Sequence, residues 1–338
     1  MKSKVKKIRV GVIFGGKSTE HEVSLMSAKN VIAALNTKKY EIVRILIDKE
    51  GQWQWGEGGV KANPPLVESS VDVVFPVLHG SLGEDGTVQG LLKLMDIPFV
   101  GPSVLGSAIG MDKDVQKRLL RDAGIPIAKF LTVRAQEKGE INFAEAKKAL
   151  GLPLFVKPAN AGSSVGVSKV KKEADFMPAI EDAFRYDSKV LIEEAIEGRE
   201  IECAVLGNED PIASIPGEVK PNHEFYSYEA KYIDENGALL EIPAQLPKEV
   251  LKKVQETAVA AFKVLECEGM SRVDCFVTKD GRVLVNEINT IPGFTKISMY
   301  PKLFEASGIS YSDLIDRLIQ FALARAEREK KLETSFKK

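Results

Sequence analysis

The chain has 338 residues, 44% hydrophobic and 28% charged, with a formal net charge of −1, enough for two or three domains with a cleft between lobes. The near-neutral balance and the lack of a long basic run exclude nucleic acid as the main partner, and no apolar run approaches the ~20 residues of a membrane span. Cys203, Cys267 and Cys275 lack CxxC spacing, which points to a reducing, cytoplasmic compartment and to buried small hydrophobes, with no zinc site.

Met1–Lys7 is basic, but the apolar stretch after it is short and runs into Gly15-Gly16-Lys17-Ser18. It reads as a first strand, Ile8–Phe14, and not as a signal peptide. Ser18 or Thr19 is the expected cap of a helix running to about Leu35. Tyr40–Asp48 and Val71–Val77 read as further strands, Asp85–Met95 as a helix and Pro98–Val100 as a short fourth strand. This alternation predicts an open parallel sheet. From Met111 the pattern changes. A helix to Ala123 is followed by a strand at Ile127–Val133, a helix near Phe143–Leu150, strands at Leu154–Lys157 and Val165–Val170, then a helix and a strand at Val190–Glu193. These predict a small α+β lobe. Beyond it, Val250, Val254, Ala258, Ala261 and Leu265 recur at helical spacing over Lys248–Leu265.

Gly11–Ser18 matches GxxxxGK[ST] literally. It is not a P-loop, because Gly11 to Phe14 lie within the strand and leave too few N–H groups to wrap a phosphate. What remains is a glycine turn onto a helix N-terminus, a site for a carboxylate or phosphate. Glu20, His21 and Glu22 at that helix start are equally explained by the helix dipole. His79-Gly80 follows the third strand, at the carboxyl end of the sheet where open α/β folds bind ligands. Lys157 precedes a small-residue loop, Pro158–Gly166, which reads as a flap over nucleotide phosphates or as a plain hairpin connection. Glu193 and Glu200 flank the following turn and are suited to ribose hydroxyls or to solvent. Residues 221–237 are polar and irregular but carry Phe225, Tyr226, Tyr228 and Tyr232; loops of this length are commonly functional, and Lys231 and Tyr232 are candidates there.

The most informative pair is Met270–Thr278 and Arg282–Thr290, two strand-like runs around Lys279-Asp280-Gly281. Side chains two apart share a strand face, so Arg272 goes with Asp274 and Glu287 with Asn289. A four-residue loop, Lys279–Arg282, sets Asp274 opposite Glu287 and Arg272 opposite Asn289. Two carboxylates, an amide oxygen and a guanidinium then form one patch suited to Mg²⁺, with the arginine able to stabilise developing charge. A three-residue connection would put Asp274 and Glu287 on opposite faces.

Seven segments, GGKSTEHEVSL (15–25), LHGSLGEDGTVQG (78–90), GMDK (110–113), VKPANAGSSVGVSKV (156–170), YEAKY (228–232), GMSRVDCF (269–276) and NEINTIPGFTKIS (286–298), together resemble the D-alanine–D-alanine ligases of the ATP-grasp superfamily. They occur in that family's order across nearly the whole chain. The resemblance implies a three-lobed α/β fold: an N-terminal Rossmann-like domain (1–102), a central ATP-grasp lobe (103–193) and a larger C-terminal lobe (194–338). It implies ATP between the last two lobes, with Lys113 and Lys157 on phosphates, Glu193 and Glu200 on the adenine and ribose side, and Lys231 on the transferred phosphate. Asp274, Glu287 and Asn289 would bind two Mg²⁺ (or Mn²⁺) ions. Arg272 and the Gly293 N–H would form an oxyanion site, and Glu20, Ser163 and Tyr232 a hydrogen-bonded set around two D-alanines. His79 would lie near the first carboxylate and Ser298 at the second. The implied activity is ATP-dependent formation of D-alanyl-D-alanine for peptidoglycan precursors, by a homodimer without nucleic-acid or membrane partners. A D-alanine–D-lactate ligase and a non-catalytic nucleotide sensor are the alternatives.

Overall fold

The computed structural model describes residues 6–56, 60–61, 71–221 and 238–336. The first sheet has the order β4-β3-β2-β1-β5, built from β1 (Ile8–Gly15), β2 (Tyr40–Ile47), β3 (Trp53–Trp55), β4 (Val60–Lys61) and β5 (Val73–Val77). β1 pairs in parallel with β2 and β5, while β3 and β4 extend the edge antiparallel. All five residues of β5 are buried, as expected of a strand covered on both faces. Pro98–Val100 does not form the expected fourth strand; it makes one parallel bridge, Val74 to Phe99, before the chain turns at Gly101 (φ +96°).

Helix α1 (His21–Ala34) starts at Glu20 and not at Ser18 or Thr19. Ser18 Oγ accepts from Glu20 N at 3.1 Å but donates to the His79 carbonyl at 2.6 Å, which ties it to the neighbouring loop. After α2 (Thr87–Leu94), the helix expected from Met111 to Ala123 is α4 (Lys113–Asp122), and it is preceded by a further helix that the sequence reading did not include, α3 (Val104–Met111). Asp112 interrupts them in an extended conformation, and its carboxylate accepts from the N–H groups of Asp114 and Val115. Such an N-cap satisfies donors that have no partner within the helix, and it makes Lys113 the first residue of α4.

The second sheet, in the order β6-β9-β7-β8, contains β6 (Phe130–Arg134), β7 (Leu154–Pro158), β8 (Ser168–Val170) and β9 (Lys189–Glu194), all antiparallel. Helices α5 (Phe143–Leu150) and α6 (Phe176–Ala183) cover it around a core of Val156, Ile180 and Ile192. β8 is shorter than the expected Val165–Val170 because Gly166, inside that range, has φ +68°, outside the extended region.

The third sheet runs β13-β12-β10-β14-β15, with β11 (Ile212–Ala213) on the β10 edge. Its strands are β10 (Gly198–Gly207), β12 (Gly217–Pro221), β13 (Ala238–Glu241), β14 (Gly269–Thr278) and β15 (Val283–Asn289). Ile201, Cys203, Val273 and Cys275 alternate into a core with α7 (Lys248–Val264). Leu120 of α4 joins that same core. Of the two last helices, α8 (Met299–Ala306) packs on β10 of the third sheet, where Tyr300 Oη donates to Val205 O at 3.1 Å, and α9 (Tyr311–Glu329) covers the first sheet: Leu314, Leu318 and Ile319 pack with Val10, Val12 and Phe75. No helix among the described residues is long and apolar enough to cross a membrane.

Candidate active site

The β14–β15 hairpin departs from the expected loop. Thr278 N donates to Arg282 O at 3.0 Å, so the connection has three residues, Lys279 to Gly281, closed by Gly281 at φ +76°, the conformation such loops require of glycine. A regular ladder from this turn would set Asn286 against Asp274 and send Glu287 into the core. Instead the register shifts between Asp274 and Cys275: Cys275 faces Val285, whereas Asp274 faces Glu287 and Arg272 faces Asn289. Asn286 is the extra residue of a β-bulge, a device common beside active sites. The predicted pairing is therefore present, reached by a three-residue turn plus a bulge.

Arg272 grips Asp274 with Nε and Nη2, both at 2.7 Å, and its Nε lies 3.0 Å from Glu202 Oε2 on β10. Glu287 Oε2 is 3.3 Å from Lys113 Nζ, which also donates to Ala161 O at 2.9 Å. Asn289 Oδ1 is buried and has no hydrogen-bond partner among the described residues. Among the described residues no group of three or more His, Cys, Asp or Glu stands ready to hold a metal ion. Two carboxylates beside an unsatisfied amide oxygen nevertheless fit Mg²⁺, which commonly takes one or two carboxylates together with substrate phosphates.

The N-terminal lobe supplies one wall. Gly15 and Gly16, at φ +92° and +97°, turn the chain from β1 toward α1; a Cβ on Gly15 would lie 2.1 Å from Ile47 O. This places Glu20, 6% exposed, where the Ser163 hydroxyl donates to its carboxylate across 143 residues of sequence. Buried His79 has Nδ1 3.1 Å from Ile291 O and 3.4 Å from Glu84 Oε1, and Nε2 3.2 Å from Ser27 Oγ. Burial pushes the Glu84 carboxyl up to about 7, against the opposing hydrogen bond from His79. For His79 burial disfavours the charged form, yet Glu84 and Glu20 outweigh it and raise its pKa. Ser298 Oγ accepts from Thr295 N at 3.0 Å and would lie 2.7 Å from a Cβ on Gly293. Only glycine leaves that approach open.

On the other side Lys157 Nζ is 2.8 Å from Glu193 Oε2, and Lys117 Nζ is 3.3 Å from Glu193 Oε1. Burial opposes ionisation of Glu193, but the two ammonium groups prevail and lower its pKa. Burial lowers that of Lys117.

Two clefts result. One is lined by Glu20, His79, Ser163, Arg272, Gly293, Ser298 and Asn289. The other, of about 250 Å³, is lined by Lys157, Glu193, Glu200, Phe155, Ile196 and Phe276. Lys113, Ala161, Ser163 and Glu287 line both, so the clefts meet there. Lys231 and Tyr232 lie outside the described residues. Sequence reasoning missed Glu84, Lys117 and Glu202. Each had a signal: Glu84 in the glycine-rich segment after His79, Lys117 one helical turn from Lys113, and Glu202 two residues from Glu200 on a strand.

Comparison with known proteins gives the family of the chain. The D-ala D-ala ligase C-terminus model matches residues 119–320, and the D-ala D-ala ligase N-terminus model matches 9–64 and 54–102. The chain is 53% identical over 361 aligned positions to the D-alanine–D-alanine ligase of Oceanobacillus iheyensis, covering 97% of this chain and 99% of that protein. The D-alanine–D-alanine ligase of Coxiella burnetii superposes with a TM-score of 0.86 at 41% identity over 97% of each chain. The VanG D-Ala:D-Ser ligase of Enterococcus faecalis gives a TM-score of 0.86 at 39% identity, over 94% of this chain and 100% of that one. The chain belongs to the D-alanine–D-alanine ligase family, ATP-dependent ligases built on the ATP-grasp fold.

Proposed function

We propose that this site uses ATP to activate the carboxylate of one D-alanine and transfers the D-alanyl group to the amine of a second, forming D-alanyl-D-alanine for peptidoglycan precursors. The observation that carries this reading is the junction of the two clefts at Lys113, Ala161, Ser163 and Glu287. A nucleotide in one cleft then presents its terminal phosphate to a carboxylate in the other.

A carboxylate is a poor electrophile. Attack of its oxygen on the γ-phosphorus releases ADP and gives D-alanyl phosphate; attack of the second amine on the acyl carbon gives a tetrahedral intermediate that expels phosphate. The first step brings two anions together, so it depends on charge neutralisation and in-line positioning. Lys113 and Lys157 serve the phosphates, each exchanging its present carboxylate partner, Glu287 or Glu193, for phosphate oxygens. Glu193 and Glu200 hold the adenine and ribose side, and Lys231 the transferred phosphate. Asp274, Glu287 and Asn289 would hold two divalent ions, Mg²⁺ or Mn²⁺, which supply further neutralisation of phosphate charge. Arg272 and the Gly293 N–H stabilise the oxyanion. His79 orients the first substrate and Ser298 the second carboxylate. Glu20, Ser163 and Tyr232 form the set that orients the entering amine and relays its proton.

The likeness to a D-Ala:D-Ser ligase makes D-serine a second reading for the entering amino acid. One experiment tests both: phosphate release from ATP with D-alanine or L-alanine, with product analysis from mixtures of D-alanine, D-serine and D-lactate at pH 8. D-alanyl-D-alanine is the expected main product. A main product carrying D-serine or D-lactate overturns the assignment of the second substrate, and no D-alanine-dependent phosphate release overturns the reaction.

A further inference from the structure

Glu202 reaches the hairpin patch from β10, a strand that the hairpin itself does not include. It stands opposite Asp274 in the β10–β14 ladder, and opposite residues of an antiparallel pair share a face. Its neighbours Ile201 and Cys203 point into the core beneath α7, which leaves Glu202 on the side of Arg272 and Asp274. Glu202 is 8% exposed, and a carboxylate so nearly buried is costly to keep ionised without a cation. Arg272 is one such cation, its Nε 3.0 Å from Glu202 Oε2 and 2.7 Å from Asp274 Oδ1.

A guanidinium Nε carries one proton, which here goes to Asp274 Oδ1, with Glu202 Oε2 3.0 Å away. On the reading above, a divalent cation takes Asp274. That draws one carboxylate away from Arg272 at the moment its orientation matters, and Glu202 is a second carboxylate at the same Nε. Resting on that reading of Asp274, we propose that Glu202 is a positioning residue for ligation: it keeps hold of the Arg272 Nε when Asp274 is drawn away and fixes the guanidinium over the acyl-transfer centre. In this role Glu202, which lines the same cleft as Arg272, acts through Arg272.

The test is a double-mutant cycle with Glu202→Gln, Arg272→Ala and the pair, since residues acting through one another are non-additive. Glu202→Gln should lower kcat for D-alanine-dependent phosphate release by roughly 10–100-fold, the usual loss when an outer partner of such a site is removed. The KM for ATP should stay within about twofold. In the Arg272→Ala background the same substitution should cost nothing further. Mn²⁺ affinity with ADP, measured by titration calorimetry without turnover, should fall on Glu202→Gln in the wild-type background and stay constant in the Arg272→Ala background. Losses that multiply, or an unchanged kcat in Glu202→Gln, overturn the proposal. If Glu202→Gln does not fold, Glu202→Asp, which keeps the charge and shortens the reach, replaces it in the cycle: a loss absent from the Arg272→Ala background supports the proposal, and losses that multiply overturn it. A wild-type protein inert toward D-alanine removes the reading of the whole site; an active wild type with a silent Glu202→Gln removes only the role of Glu202.

Discussion

Glu287 faces Asp274 because Asn286 is bulged out of the ladder between them. The three-residue turn would otherwise give that place to Asn286. Val283, Val285 and Ile288 all reach the α7 core, and the step of three between the last two accommodates the extra residue. Asn286 and Glu287 consequently both line the cleft that holds Lys157 and Glu193. Asp274→Asn and Glu287→Gln preserve side-chain volume and leave the core side untouched. Each should reduce D-alanine-dependent phosphate release below detection while the Tm stays within a few degrees of wild type. Wild-type turnover in either variant would remove that residue from the site.

Arg272→Ala should lower kcat by roughly 10²–10³, the typical loss for one oxyanion donor, with little change in the KM for ATP. Steady-state kinetics with ATP and D-alanine varied separately decides it. A large rise in the ATP KM at normal kcat would transfer Arg272 to the nucleotide cleft.

The His79–Glu84 pair predicts a pH dependence of stability. The Glu84 pKa is raised in the folded chain from 4.5 to about 7, so the folded state keeps a proton that the unfolded state has already lost. Its favourable contribution is present at low pH and is lost as pH rises toward about 7. His79 is raised above 6.5, and its contribution is likewise lost as pH rises through its folded value. Both slopes have one sign. The Tm should fall between about pH 5 and pH 8, and Glu84→Gln should flatten that fall by removing one titrating group and the partner of the other. Parallel melting curves that keep the wild-type slope in Glu84→Gln would contradict this.

Arg325 on α9 is 5% exposed and donates to Phe99 O at 2.6 Å and Gly101 O at 2.7 Å. Its guanidinium also lies 4.4 Å from the centre of the Phe99 ring. It fastens the last helix to the segment leaving the first sheet. Arg325→Ala removes hydrogen bonds from a charged donor and leaves buried carbonyls unsatisfied, which should cost about 2–3 kcal/mol. Denaturant unfolding should show that loss, while the KM values for ATP and D-alanine remain those of the wild type.

Local pattern is enough to mark the segments that carry the chemistry. Alternation at two residues places Arg272 with Asp274 and Glu287 with Asn289, and helical spacing marks Lys248–Val264; both are properties of a strand or helix set within a few residues. Phe143–Leu150 is equally legible, with a capping Asn142 at one end and Gly151 at the other. What depends on distant partners is settled by the packed fold. The turn conformation at Gly281 and the packing of β15 beneath α7 jointly select the bulge at Asn286, and a one-residue shift cannot be read from a pattern whose period is two. Asp112 caps α4 through its own neighbours, but its second carboxylate oxygen meets Lys189 Nζ at 2.5 Å from 77 residues away. The meeting of Ser163 with Glu20, and of Lys113 with Glu287, joins lobes whose sequences carry no trace of one another. Glu202 becomes part of the site only through its place opposite Asp274, because burial and charge pairing across strands are set by the sheet and not by neighbours along the chain.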